Sequence, residues 1–136
     1  MATWMIVEDE ADLYEMLLTM IKLLGHDGLA FSAGEEAAKW IDKVASGQFE
    51  GELPVVALVD IRLPGQVSGL DVAASIRARL PTKAGEKPMK IILMTAYKLT
   101  RTQVEEAIQL SGADLLLYKP LPPIAKLQEI LDGVVA

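Results

Sequence analysis

The chain has 136 residues, of which 51% are hydrophobic and 24% charged, and its 13 basic and 19 acidic residues leave a formal net charge of −6. That length suits one domain spanning residues 1–136 with a sizeable core, and the composition is too apolar for a disordered chain. The acidic balance argues against direct binding to nucleic acid or an anionic membrane, both of which demand clustered Lys and Arg. The absence of cysteine excludes disulfides and thiolate metal sites, no apolar run approaches the ~18 residues of a membrane span, and the N-terminus carries no signal pattern, so a reducing cytoplasm is the expected setting.

In chain order, Thr3 to Val7 is a short apolar run that closes on the acids Glu8, Asp9 and Glu10. Leu13, Met16, Leu17, Met20 and Leu24 then recur at helical spacing, Asp12 with Glu15 resembles a capping box, and Gly25 can stop the helix. His26 falls in the following turn and reads as a solvated residue, since no partner for metal or base work is evident. Asp27 to Phe31 is a strand, and Ala37, Trp40, Ile41, Val44 and Ala45 form a second helical face ending at Gly47.

A polar loop, Ser46 to Pro54, leads into Val55 to Val59, an apolar run that closes on Asp60 and is followed by a Pro64-Gly65 turn signal. Such a run fits a strand buried on both faces, as in a parallel sheet. Gly69 opens a third helix lined by Leu70, Ala73, Ile76, Arg77 and Leu80, and Pro81 to Pro88 is an exposed connector. Lys90 to Thr95 is another buried strand, ending on a hydroxyl. Val104, Ala107, Ile108 and Ser111 mark a helix stopped by Gly112. Leu115 to Tyr118 is the last strand, closing on Lys119-Pro120, and Pro122 and Pro123 start a final helix along Ile124, Leu127, Ile130, Leu131 and Val134.

Five strands alternating with five helices imply a doubly wound α/β fold, because right-handed crossovers lay each helix over a parallel sheet. Glu8, Asp9, Asp60, Thr95 and Lys119 all close apolar strands, so the fold gathers them at one carboxyl edge, where ligands bind in such sheets. Three carboxylates with a Lys and a Thr suit a hard cation and a tetrahedral anion. Asp9 and Asp60 are natural magnesium ligands, Glu8 can act through water, and Lys119 and Thr95 suit phosphoryl oxygens. A carboxylate there can also be a nucleophile, as in aspartyl-phosphate chemistry. Each residue alone has a plainer reading: Asp60 as a cap, Thr95 as a turn former, Lys119 as a solvated charge, and the Glu8 to Asp12 acids as favourable charge at a helix start.

Four motifs in order carry a resemblance: V-E-D-E at Val7 to Glu10, L-V-D-I-R-L-P-G at Leu58 to Gly65, M-T-A-Y at Met94 to Tyr97, and G-A-D with Y-K-P between Gly112 and Pro120. Over essentially its whole length the chain resembles a bacterial response-regulator receiver domain of the CheY-like group. That resemblance implies a flavodoxin-like five-stranded sheet in the order 2-1-3-4-5. It also implies Glu8 and Asp9 as the acidic pair, Asp60 as the phosphoacceptor, Thr95 as the switch hydroxyl, Lys119 as the phosphate-binding lysine, the Arg62 carbonyl as a further Mg2+ ligand, and a cis Lys119-Pro120 peptide. The implied partners are a sensor histidine kinase or histidine phosphotransfer protein and a downstream protein target, with a homodimer through the last two helices as a further option. The implied activity is that of a phospho-accepting switch with at most slow autodephosphorylation.

Two positions depart from the family pattern. The loop between Pro64 and Gly69 is one residue longer than usual, and Leu116 stands where the family has Tyr or Phe. Two other functions compete. A magnesium-dependent phosphohydrolase would share the aspartyl phosphate, but phosphatases of the dehalogenase-like type place a general acid two residues after the nucleophile, and here that residue is Arg62. A pseudo-receiver that binds a protein without being phosphorylated need not retain the whole cluster.

Overall fold

The computed structural model describes residues 2–80, 82 and 84–135. The strands are β1 (Thr3–Val7), β2 (Asp27–Phe31), β3 (Val56–Asp60), β4 (Lys90–Thr95) and β5 (Leu115–Tyr118), and the helices α1 (Ala11–Leu23), α2 (Gly34–Ala45), α3 (Gly69–Arg79), α4 (Arg101–Ser111) and α5 (Ile124–Val135). All strands pair in parallel, in the order β2-β1-β3-β4-β5. The doubly wound expectation and the strand order both hold.

Successive side chains of a strand point to opposite faces, and that alternation divides the core in two. Met5, Val7, Ala57, Val59, Ile91 and Leu93 meet Trp40, Ile41, Val72, Ile76 and Ala107 from α2, α3 and α4. On the other face Trp4, Ile6, Val56, Leu58, Ile92 and Met94 meet Leu17, Met20, Ile21, Leu127 and Leu131 from α1 and α5. The central strand β3 is buried at all five positions. Truncation of Leu58 there to Ala would cost about 2–5 kcal/mol, because a close-packed interior collapses poorly around a deleted side chain.

Several local expectations are corrected. Helix α1 begins at Ala11, and its cap is Glu10, whose carboxylate accepts from the Asp12 and Leu13 N–H groups. Asp12 therefore lies in the first turn and makes no capping box with Glu15. Ser68 with Asp71 and Thr100 with Gln103 form complete capping boxes at α3 and α4, a spacing legible in the sequence. His26 is half-buried. Its ring stacks on Trp4 with centroids 4.9 Å apart, and its Nδ1 accepts from the Ala2 N–H. Ile124, expected on the inner face of α5, is exposed, while Leu127 and Leu131 carry that helix's packing.

Arg77 leaves the α3 face to tie three elements together. Its guanidinium donates to the carbonyls of Gly112 and Met89 and to the Asp114 carboxylate, which also accepts from the Ile91 N–H. In the Pro81 to Pro88 connector, Pro81 and Lys83 lie outside the described residues, and the others are exposed as expected.

Candidate functional site

Register alone delivers the candidate residues to one edge. Val7 is level with Val59, Asp60 with Met94, and Thr95 with Tyr118, so Glu8, Asp60, Thr95 and Lys119 follow one another across the carboxyl ends of β1, β3, β4 and β5. The edge is held by backbone bonds as well. The Glu8 N–H donates to the Phe31 carbonyl, the Ile61 N–H to Met94, and the Lys119 N–H to Thr95. Gly69 lets α3 start directly against this edge, because a Cβ there would collide with the Asp60 carbonyl.

The side chains converge. Glu8 is fully buried, Asp60 is 5% exposed and Thr95 2%. Carboxylate oxygens of Glu8, Asp9 and Asp60 lie within 4.8 Å of one another, with Asp9 the exposed member. Lys119 Nζ stands 2.7 Å from Glu8 Oε1 and 2.9 Å from Asp60 Oδ2. Glu8 Oε2 accepts from the Glu10 N–H and Asp60 Oδ1 from the Arg62 N–H. The Thr95 hydroxyl oxygen accepts from the Tyr97 N–H. The Lys119-Pro120 peptide is cis.

Burial raises the Glu8 pKa above the ordinary 4.5 and outweighs the opposing influence of Lys119 and the Glu10 N–H, while the Asp60 charge adds to the rise. For Lys119, burial by itself would lower the pKa, but the contacts with Glu8 and Asp60 together overcome it and hold the ammonium above 10.5. Two carboxylates thus share one half-buried cation, and a third acid stands exposed beside them. Glu8 Oε1 is buried, and its partner is the Lys119 ammonium at 2.7 Å, off hydrogen-bond geometry. The donor set is all oxygen and carries more negative charge than one lysine offsets, which fits a hard divalent ion such as magnesium.

Two features of this edge were missed in the sequence. The Arg62 guanidinium lies over the Tyr97 ring, 4.0 Å from its centroid, bridging the loops after β3 and β4. Glu35, at the start of α2, reaches the loop after β3 and accepts from the Gln66 N–H. Nothing in residue spacing pairs positions so far apart. Beside Thr95 an open groove of about 220 Å³ runs between Ile61, Leu70, Tyr97, Leu99 and Ala107.

The fold and this edge define a CheY-like α/β domain with an acidic pocket at the carboxyl ends of its central strands. The response regulator receiver domain model matches residues 4–132, so the chain belongs to that family, the receiver domains of two-component signalling. Among solved structures it is similar to the Vibrio cholerae chemotaxis protein CheY4, at a TM-score of 0.76 and 19% identity over 98% of each chain. A DNA-binding response regulator of the LuxR family from Staphylococcus aureus aligns at a TM-score of 0.74 and 28% identity over 100% of each chain. The DNA-binding response regulator MtrA of Mycobacterium tuberculosis is 29% identical over 119 residues, which are 88% of this chain and 44% of that protein. The chain thus spans less than half the length of the curated relatives it matches. Among the described residues no helix is long and apolar enough to cross a membrane.

Proposed function

We propose that Asp60 accepts a phosphoryl group from a sensor histidine kinase or a histidine phosphotransfer protein, in a reaction that requires Mg2+, and that a downstream protein reads the result. The observation that carries this reading is the convergence of Glu8, Asp9, Asp60 and Lys119 on one pocket, with Asp60 nearly buried at its floor.

Asp9 and Asp60 would hold the metal directly, Glu8 through water and Arg62 through its carbonyl, and the ion supplies charge neutralisation. In the transfer an Asp60 carboxylate oxygen attacks phosphorus, the phosphorus–nitrogen bond of the donor histidine breaks, and the imidazole keeps the electron pair. The Lys119 ammonium, already 2.9 Å from Asp60 Oδ2, pairs with a phosphoryl oxygen. The Thr95 hydroxyl donates to another. Arg62, two residues after Asp60, is a cation that offers no proton to a leaving group, which supports a switch over a phosphate-ester hydrolase. The net charge of −6 favours protein partners over nucleic acid for this segment.

Intact mass after incubation with acetyl phosphate and Mg2+ tests the reading. A single phosphoryl increment is expected in the wild type, none in Asp60→Asn, and none when the metal is chelated. An Asp60→Asn chain modified as fully as the wild type would overturn the assignment.

A further inference from the structure

The segment between Asp60 and α3 is pinned at three points. At its base the Gly69 N–H donates to the Ile61 carbonyl, closing the loop on itself. At its start the Arg62 N–H donates to Asp60 Oδ1. At its tip the anchor comes from another element: Glu35 Oε2 accepts from the Gln66 N–H at 3.1 Å, across 31 residues of sequence.

The tip is shaped to receive that side chain. Gly65 has φ +89°, in the left-handed region, and a Cβ on it would run into both carboxylate oxygens of Glu35. Two residues on, the Val67 carbonyl packs so closely on Gly34 that a Cβ on Gly34 would also collide. The α2 N-terminus has no side-chain cap, so Glu35 is not engaged there, and Glu36 turns to the Ser32 N–H and hydroxyl ahead of the helix. Glu35 instead turns its carboxylate to the neighbouring loop.

We propose that Glu35 is a positioning residue for the pocket: by holding the tip of the Arg62–Ser68 loop it keeps the Arg62 backbone set against Asp60. This rests on the proposed magnesium-dependent function. The chain of contacts runs from Glu35 to the Gln66 N–H, along the loop backbone to Arg62, and from the Arg62 N–H to Asp60. A loop freed at its tip would let Arg62 wander, and with it both the hydrogen bond to Asp60 and the carbonyl assigned to the metal. Partners that orient metal ligands from outside commonly account for about 10- to 100-fold in affinity.

The test uses magnesium alone as probe, by calorimetry on the whole chain, with amide exchange at Gln66 as a second readout. Glu35→Ala is expected to bind magnesium about tenfold more weakly, the low end of that range, and to exchange the Gln66 amide faster. Glu35→Gln, whose side-chain oxygen can still accept from Gln66, is expected to restore both. Amide exchange at Gln66 in Glu35→Gln, which keeps the acceptor, covers the case in which Glu35→Ala folds poorly. Alanine and glutamine variants that both bind magnesium as the wild type does overturn the proposal while leaving the phosphoacceptor reading intact. Equal losses in both variants also overturn it, since they would assign the effect to charge and not to the tether. A wild-type chain that binds no magnesium overturns both.

Discussion

Lys119 Nζ lies 2.7 Å from Glu8 and 2.9 Å from Asp60, so a single ammonium is shared by two buried carboxylates, one just after β1 and one on β3. Removing one partner of a buried ion pair leaves the other uncompensated, and such losses run about 3–5 kcal/mol. Lys119→Ala should therefore destabilise the chain by about 3 kcal/mol at neutral pH, measured by denaturant unfolding, besides impairing phosphorylation. The pH dependence has a definite sign. Glu8 has a folded pKa raised above 4.5, so its contribution to stability is full below pH 4.5 and is lost as pH rises through the raised value. Without Lys119 that pKa climbs further, so the variant should recover towards the wild type on acidification below 4.5. Lys119 itself contributes fully below pH 10.5, and the wild type should lose that contribution above it. A difference between the two chains that stays constant from neutral to acidic pH would count against this account.

Asp9 and Glu8 should separate metal binding from folding. Asp9 is exposed, with no side-chain hydrogen bond among the described residues, whereas Glu8 is buried against Lys119 and the Glu10 N–H. Asp9→Ala is expected to weaken magnesium binding at least about tenfold, more than Glu8→Gln does, and to leave the unfolding midpoint unchanged. Calorimetric titration of both variants checks the order. Equal weakening would contradict the assignment of Asp9 as a direct ligand and Glu8 as one acting through water.

Arg62 and Tyr97 join the loops on either side of the pocket through a cation–π contact at 4.0 Å. Both residues are exposed, so the contact should be worth about 0.5–1 kcal/mol. A double-mutant cycle with Arg62→Ala and Tyr97→Ala, read by denaturant unfolding, should return a coupling of that size, and Tyr97→Phe should preserve it. A coupling indistinguishable from zero would mean that the two loops are held independently.

Leu116 packs into the α2–α3–α4 side of the core and offers no ring to turn. Tyr118 is exposed, with its hydroxyl 3.5 Å from the Leu99 carbonyl, while Tyr97 is exposed and borders the groove beside Thr95. On addition of beryllofluoride and magnesium, ring resonances of Tyr97 are therefore expected to shift strongly and those of Tyr118 weakly. A large inward movement of Tyr118 with Tyr97 unchanged is the result that would sink this expectation.

The alternation of strand and helix is legible in the sequence, since apolar runs and helical stripes are local signals, and it puts Glu8, Asp9, Asp60, Thr95 and Lys119 at strand ends. Once a parallel sheet follows from the alternation, those ends share an edge whatever the side chains do. The resemblance carried by four short motifs added the strand order and an expected role for each residue. Features that depend on contacts across many residues emerge only on folding. Glu10 and not Asp12 caps α1 because the helix starts at Ala11. His26 packs because Trp4 lies against its turn. Arg77 leaves its helix face because three acceptors from other elements converge on its guanidinium, and Glu35 reaches Gln66 because α2 and the loop after β3 meet only in the folded chain. A strand-end acid announces itself through the apolar run before it, whereas a side chain that bridges 31 residues has no periodicity to betray it.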